Sequence, residues 1–339
     1  MSKSMLTVKI SSRGSGKNLD LSQFTGNDTN EWRGCRFFVN ADIESADAWF
    51  VSEDLDDDET ACAVPGGRVI FLTAETSWPT GFYDENPGRS AFLDQFAEIY
   101  TCHDVFRPNV TSTLPFLPWM INANHGPSIT ALHERDVTWL GGVRSLPKSR
   151  DLSVFCSHQT LTDGHRMRLR FVEKLKEHFG DRLDWFGNGI QPLAEKWDGI
   201  APYRYHLVLE NHAAPNVITE KLWDAYLGLA YPIYWGAPNV RDYVPGESLT
   251  TINMMDLAGS IDVIEKLVGS DHAELAQPHV MSGRERVLGD LHYLSRMAAI
   301  AKSAHQGPEP RVVTDIAPMA AFLQGSESFV QRVKRRLRP

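Results

Sequence analysis

A regular alternation of strand and helix patterns in the second half of the chain constrains the fold more than any other feature. Leu152 to Cys156 reads as a strand, Gly164 to Phe179 as a helix, Leu183 to Phe186 and His206 to Leu209 as strands, Ile218 to Leu229 as a helix and Tyr231 to Tyr234 as a strand. The strand runs are short and apolar, whereas the helical stretches repeat apolar residues every three or four positions. This order specifies a parallel sheet flanked by helices, because parallel neighbours need a long crossover. In such sheets ligands collect beyond the carboxyl ends of the strands.

The first half has its own short apolar runs, Cys35 to Val39, Ala48 to Val51, Arg68 to Leu72 and Phe96 to Tyr100, divided by turn-rich or acidic stretches. These predict strands of an open sheet. The acidic run Glu53 to Glu59 reads as a solvated loop and is assigned no metal. Between Leu140 and Arg150, residues Gly141, Gly142, Pro147, Lys148 and Ser149 interrupt the periodicity as an interdomain linker would. A chain of 339 residues exceeds the size at which a single core usually keeps growing. The expected organisation is therefore an α/β domain over 1–145, a second over 151–300 and a C-terminal helical tail over 301–339. Helical apolar spacing runs from Leu257 to Leu267, from Val280 to Ala301 and from Ile316 to the end.

Charge and composition exclude several classes. A net charge of −9 speaks against a nucleic-acid partner held by a broad basic face, so an anionic ligand needs locally placed cations. No run of about 18 apolar residues occurs, and the short apolar run Leu6 to Ile10 is broken by Arg13, Gly14 and Gly16, so a cytoplasmic location is expected. Cys35, Cys62, Cys102 and Cys156 form no C-x-x-C pair and read as reduced core thiols. The basic tail, with Arg332, Lys334, Arg335, Arg336 and Arg338, suits a solvated helix end or at most a peripheral contact with anionic lipid.

The densest chemical signal is Tyr203 to Asn211 followed by Pro215 to Tyr226, read as strand, polar loop and helix. Ile218, Leu222, Ala225, Tyr226 and Leu229 recur at helical spacing and should face the core, leaving Thr219, Glu220 and Lys221 in an exposed first turn. A helix start favours a pyrophosphate through its unpaired N–H groups. The dipole contributes about 0.3–1 kcal/mol per exposed charge, whereas a charge-assisted bond from Lys221 adds roughly 1.5–3 kcal/mol, so the lysine should dominate. Glu220 would repel phosphate and suits a ribose diol better. A plain amphipathic helix with a Glu-Lys start also accounts for these residues. The helix at Gly164 opens with His165, Arg166, Arg168 and Arg170, cations placed against the helix dipole as an anionic partner would require. Met167, Phe171 and Leu175 mark its buried stripe, which puts Arg168 off that stripe and within reach of the cleft. A solvent-facing arginine face is the alternative. The run Tyr231 to Asn239 ends an apolar strand in a Gly/Pro turn, placing aromatic surface and close backbone nearby.

Together these stretches resemble the α1,3/α1,4-fucosyltransferase family. The resemblance rests on Leu209-Glu210-Asn211, Ile218-Thr219-Glu220-Lys221-Leu222 and Pro232-Ile233-Tyr234-Trp235-Gly236, and runs continuously from about Leu152 to Asn253. It implies a GT-B type α/β fold, two Rossmann-like domains facing each other across a cleft, with C-terminal helices. It implies an inverting glycosyltransferase that moves L-fucose from GDP-fucose to a glycan hydroxyl, α1,3-type, as in surface-glycan synthesis or protein glycosylation. Glu220 and Lys221 then match the family's ribose and phosphate ligands and Arg168 its pyrophosphate arginine. Asn211, with Glu210 and Thr219 of the same block, joins the donor-binding set. Val217 stands where some bacterial members carry an aromatic residue against the base. In the first half the resemblance thins to Leu72 to Pro79, similar to the segment holding the general base, and makes Glu75 the catalytic candidate.

The implied scheme is a single displacement. Glu75 takes the acceptor proton while Arg168 and Lys221 stabilise the departing diphosphate, with no cofactor and no essential divalent metal. Partners are a nucleotide sugar and a carbohydrate acceptor. The alternatives are a transferase of the same fold using another nucleotide sugar, a silent nucleotide- or carbohydrate-binding relative, and a glycoside hydrolase, which would need two suitably spaced carboxylates.

Overall fold

The computed structural model describes residues 5–13, 20–56, 61–121, 123–124, 130–131, 135–305 and 309–323. The chain forms two compact units. One takes its described residues from Met1–Leu19, Glu31–Phe116 and Ala298–Pro339, the other from Asp20–Asn30 and Leu117–Met297.

In the first unit, strands β1 (Leu6–Ser12), β2 (Glu31–Trp32), β3 (Cys35–Val39), β4 (Ala48–Ser52), β6 (Ile70–Leu72), β7 (Glu98–Thr101) and β8 (Val110–Ser112) form one sheet in the order β2-β3-β1-β4-β6-β7-β8. Every pairing is parallel except that of β2 with β3. The inner strands are buried on both faces, as in β4 with Trp49, Phe50 and Val51, which is why they read as unbroken apolar runs. β1, which the sequence shows only as a short apolar run, lies inside this sheet because Lys9 folds its tip away. Its ammonium donates to the Ala41 carbonyl at 2.8 Å and lies 5.6 Å from the centre of the Trp49 ring. Helix α2 (Pro87–Leu93) starts from the Asn86 cap and adds Phe92 and Leu93 to a core with Trp49, Phe71, Tyr83 and Ile99.

Residues 301–339 were expected as a helical tail, and the described part differs. Helix α9 (Tyr293–Ala304) is followed by β16 (Arg311–Asp315), which pairs antiparallel with β5 (Ala61–Pro65), and then by the short α10 (Met319–Phe322). The exposed Val312 and Val313 of that strand have the β-branched character of a two-stranded ribbon, and Ile316 anchors it in the core. The basic residues Arg332, Lys334, Arg335, Arg336 and Arg338 lie outside the described residues, as do Asp57 to Glu59.

In the second unit, β11 (Arg150–Phe155), β12 (Leu183–Phe186), β13 (Tyr203–Leu209), β14 (Tyr231–Trp235) and β15 (Thr250–Thr251) form a wholly parallel sheet in the order β12-β11-β13-β14-β15. Helix α4 (Asp163–Phe179) connects β11 to β12, and α5 (Glu220–Leu227) connects β13 to β14. The alternation predicted from Leu152 to Tyr234 is thus the observed one. The central β13 is buried along nearly its whole length, and its aromatic tips find partners: Tyr205 donates to the Leu267 carbonyl at 2.7 Å. Helices α6 (Leu257–Val268), α7 (His272–Leu275) and α8 (Gln277–Leu288) complete the unit with the start of α9. The stretch Val280 to Ala301, helical in spacing, is two helices broken at Gly289.

Two short helices, α1 (Ser22–Thr25) and α3 (Val137–Gly142), and the small ladder β9 (Ala123–Asn124) with β10 (Thr130–Ala131) come from outside the expected 151–300 domain. The division of the chain falls at Phe116–Leu117, well before the Leu140–Arg150 stretch read as a linker. Buried aromatic contacts account for this. Trp119 packs against Phe24 with ring centres 5.0 Å apart and against His292 at 4.7 Å, so both 20–30 and the segment after 117 join this core. All four cysteines are buried thiols. Among the described residues no helix is long and apolar enough to cross a membrane.

One close approach sets the mouth of the second unit. A Cβ on Gly164, in the first turn of α4, would lie 1.7 Å from the Asn211 carbonyl oxygen and 2.7 Å from its carbon. Backbone cannot yield as a side chain does, so Gly164→Ala is expected to cost about 1–3 kcal/mol. Thermal unfolding should show a drop of several degrees, and an unchanged midpoint would contradict the close contact.

Candidate functional site

The polar residues of the second unit converge where β13 ends. Glu210 continues the ladder by one residue, its N–H donating to the Trp235 carbonyl at 2.9 Å, and then turns its side chain inward, leaving it 1% exposed. Its carboxylate accepts from the Thr219 N–H at 2.8 Å and from the Thr219 hydroxyl, 2.8 Å from Oε2. Thr219 is the N-cap of α5, so the buried carboxylate fixes the start of that helix. Gly236 leaves room for this arrangement: a Cβ there would meet the Glu210 Cγ at 2.6 Å and the Tyr234 hydroxyl oxygen at 2.3 Å. The Gly/Pro turn after β14 thereby acts through Glu210.

Lys221 follows in the same turn. Its Nζ lies 2.9 Å from Thr219 Oγ1, 3.3 Å from Glu220 Oε1 and 3.5 Å from Glu210 Oε2, and its side chain is 23% exposed. Burial works against the ammonium, but the Glu220 and Glu210 carboxylates outweigh it and raise its pKa, with Arg168 opposing them. Burial likewise pushes the Glu220 carboxyl up, yet Lys221 and Lys196 hold it down at about 2. Both groups are therefore ionised at neutral pH.

Arg168 reaches the same strand end from α4. Its Nη1 donates to the carbonyl of Leu209 at 3.3 Å, and it is near enough to Lys221 for the two charges to repel. The expectation that Arg168 lies off the buried stripe is corrected here. The inner face of α4 comprises His165, Arg168, Leu169, Phe171, Val172, Leu175 and Phe179, and Met167 is only half-buried. The Leu209 carbonyl gives the guanidinium a partner on that face. Its Nε is buried without a hydrogen-bond acceptor. The rest of the cation cluster disperses: Arg166 bonds to Asp163 and the Thr160 carbonyl, and Arg170 is exposed.

Asn211 presents its carbonyl to Gly164, and its own Oδ1 is buried with no donor. Further along the loop Asn216 adopts a left-handed conformation, φ 64°, pinned by Asn239 and Tyr243. Val217 is 2% exposed and packs inward.

One pair at this site escaped the sequence reading. Lys196 Nζ lies 2.6 Å from Asp224 Oδ2, and Asp224 Oδ1 accepts from the Met120 N–H at 2.7 Å. Asp224 is fully buried, and burial raises its pKa against the pull of Lys196. The available signal was an aspartate set between Trp223 and Ala225 on the apolar face of α5, a position that demands a partner. Nearby, burial and the charges of Lys196 and Lys148 push His206 down to about 3, so it is neutral and bonds to Ser153.

Glu75 belongs to the first unit. It stands in the loop that leaves the carboxyl end of β6, exposed, with Oε1 accepting from the Ser77 N–H at 2.7 Å. His103 Nε2 donates to its carbonyl at 2.7 Å. The acidic run read as solvated begins differently: Glu53 is half-buried and accepts from the N–H groups of Ala74 and Glu75.

Residues 147–274 match glycosyltransferase family 10 (fucosyltransferase), C-terminal domain. That stretch of the second unit, which holds α4, β13 and α5, is similar to the C-terminal domain of this family. Similar curated proteins include the α-(1,3)-fucosyltransferase FucT of Helicobacter pylori, 33% identical over 76 residues, which are 22% of this chain and 16% of that protein. GDP-fucose protein O-fucosyltransferase 3 of Xenopus laevis is 36% identical over 72 residues, 20% of this chain and 15% of that protein. The chain thus spans about a sixth of the length of these relatives in the matched region. Among solved structures, an α1,3-fucosyltransferase with GDP-fucose superposes with a TM-score of 0.51 at 15% identity, over 93% of this chain and 94% of that one. An α-glucosyltransferase with UDP and a 13-mer DNA gives 0.51 at 10% identity, over 88% and 100%. The fold is therefore of the expected GT-B type. The family 10 match takes in Arg168, Glu210, Asn211, Thr219, Glu220 and Lys221, whereas Glu75 lies outside it.

Lys196→Met would strand the buried Asp224 carboxylate, with an expected loss of about 3–5 kcal/mol in urea unfolding. Exchanging both partners for apolar residues should recover most of it; a silent single variant would show that the pair does not form. The pH dependence of Glu220 has a definite sign. Its folded pKa lies below the ordinary value, so its contribution is complete above about 4.5 and fades as pH falls towards 2. The stability gap between wild type and Glu220→Gln should narrow over that window, and a gap that widens with acid would refute the ion pair.

Proposed function

We propose that the chain is an inverting glycosyltransferase that binds a nucleoside diphosphate sugar, GDP-fucose in the reading its family favours, at the end of β13, and transfers the sugar to a carbohydrate hydroxyl. The observation that carries the proposal is the convergence of Arg168 and Lys221, from different helices, on the Leu209–Glu210 strand end. Two cations so placed suit two adjacent phosphates, which a single exposed helix end would hold weakly.

In this scheme Lys221 and Arg168 accept the diphosphate and stabilise the charge that grows on it as the glycosidic bond breaks. The orphaned Arg168 Nε supports an anionic partner, since a buried N–H without an acceptor costs about 1–3 kcal/mol. Glu220, ionised and one residue from Lys221, suits the ribose hydroxyls. Thr219 and Glu210 hold these groups in place rather than meeting the donor, because their polar atoms are already engaged with each other. Asn211 lines the approach through its unpartnered Oδ1. Glu75 takes the acceptor proton, and the displacement then proceeds in one step without a resident cofactor or essential metal. The guanine preference rests on the family likeness alone, because Val217, 2% exposed, is too small and too buried to stack on a nucleobase.

Stabilisation of the protein by a set of nucleotide sugars, together with GDP release in the presence of a panel of methyl glycosides, tests the donor directly. GDP-fucose is expected to raise the melting temperature and to be consumed. Stabilisation by UDP-sugars alone would redirect the assignment. Glu75→Gln should abolish transfer while leaving GDP affinity unchanged, and near-normal turnover would remove Glu75 from the base role.

A further inference from the structure

Glu53 stands at the carboxyl end of β4, one strand away from the loop that carries Glu75. Its N–H donates to the Leu72 carbonyl at 3.1 Å, and its backbone is left-handed, φ 66°, a conformation a glutamate rarely takes. Such a conformation persists only where the surroundings over-determine it, and it recurs at functional sites. The side chain shows what over-determines it. Oε1 accepts from the N–H groups of both Ala74 and Glu75 at 2.7 Å, while Oε2 accepts from the Tyr83 hydroxyl at 2.9 Å and from Trp78 Nε1 at 3.3 Å. These four donors saturate the carboxylate, and no cation is among them.

The loop from Thr73 to Pro79 is anchored at its start, where the Thr73 N–H donates to the Tyr100 carbonyl and the Thr73 carbonyl accepts from the Phe116 N–H. Beyond that point the Glu53 bonds and the His103 contact to the Glu75 carbonyl hold it. Trp78 and Tyr83 are themselves held in the aromatic core, with Trp78 stacked on Phe82 at 4.2 Å and Tyr83 edge-on to Phe71 at 5.8 Å. A rigid floor thus grips a half-buried acid, which grips the backbone under an exposed one. We propose that Glu53 is a positioning residue for proton transfer by Glu75, fixing the point from which the Glu75 carboxylate reaches the acceptor hydroxyl. This rests on the function proposed above, with Glu75 as base.

The geometry explains the choice of a carboxylate. One oxygen must accept two converging N–H groups while the other accepts two more donors, and only an ionised acid offers that many acceptor sites on a short stem. Glutamine keeps an oxygen for the loop but turns an N–H₂ towards the Trp78 N–H. Alanine removes the grip altogether.

The test is GDP release from GDP-fucose with the acceptor panel, for wild type, Glu53→Gln and Glu53→Ala, with rates divided by the number of sites that bind GDP in each preparation. That division removes any loss due to misfolded protein. The expected result is a graded fall in kcat, about tenfold for Gln and about a hundredfold for Ala, with acceptor KM and GDP affinity within about twofold of wild type. Should the alanine variant fail to fold, the glutamine variant decides alone. Wild-type kcat in either folded variant would overturn the proposal, as would a loss confined to KM or to GDP affinity. A wild-type protein that binds GDP but releases none from GDP-fucose would instead sink the function proposed above.

Discussion

The buried carboxylate of Glu210 is the interaction on which the second unit's site depends. Placing an ion where it is 1% exposed costs several kcal/mol unless it is fully bonded, and Thr219 and Lys221 supply that bonding. The consequence is directional. Because Glu210 follows the last residue of β13 and Thr219 caps α5, one ion locks a helix start to a strand end, and Lys221 has little freedom to point elsewhere. Gly236 is small because any larger residue would push Glu210 out, and Gly164 is small because Asn211 passes beside it.

Around that ion the charges form a graded set. Glu220 and Lys221 sit at the rim, about a fifth exposed, and hold each other ionised. Asp224 and Lys196 lie one turn deeper and tie α5 to the segment beginning at Leu117. The inner pair adds little net stability by itself, since burying two charges nearly offsets their attraction. It settles instead where the helix sits, and its positive partner helps to hold Glu220 down.

Much of this was legible in the sequence because it is local. The strand, loop and helix from Tyr203 to Tyr226 are contiguous, so periodicity and capping reveal them, and Thr219, Glu220 and Lys221 open the helix as their spacing predicts. The turn is not exposed as expected: Thr219 is buried under the Glu210 carboxylate and the other two are about a fifth exposed. What could not be read depends on partners remote in the chain. Lys196 and Asp224 are 28 residues apart and meet only through the sheet. Periodicity cannot separate the apolar stem of Arg168 from its charged tip, so it does not reveal that this arginine lies on the inner face of α4, where the Leu209 carbonyl accepts from it. Glu53 opens an acidic run whose later members read as solvated, and nothing local shows that it turns inward to Ala74 and Glu75. The domain limits failed for the same reason, since Phe24 and Trp119 join a core defined by residues far downstream.

The central claim is that Arg168 and Lys221 act on one diphosphate. Its most direct test is a double-mutant cycle on GDP and GMP affinity with Arg168→Gln, Lys221→Met and the pair. A wild-type preference for GDP is expected, lost by roughly tenfold or more in each single variant, with the double losing less than the product of the two. Equal affinity for GDP and GMP in the wild type, or strictly independent losses, would contradict a shared diphosphate.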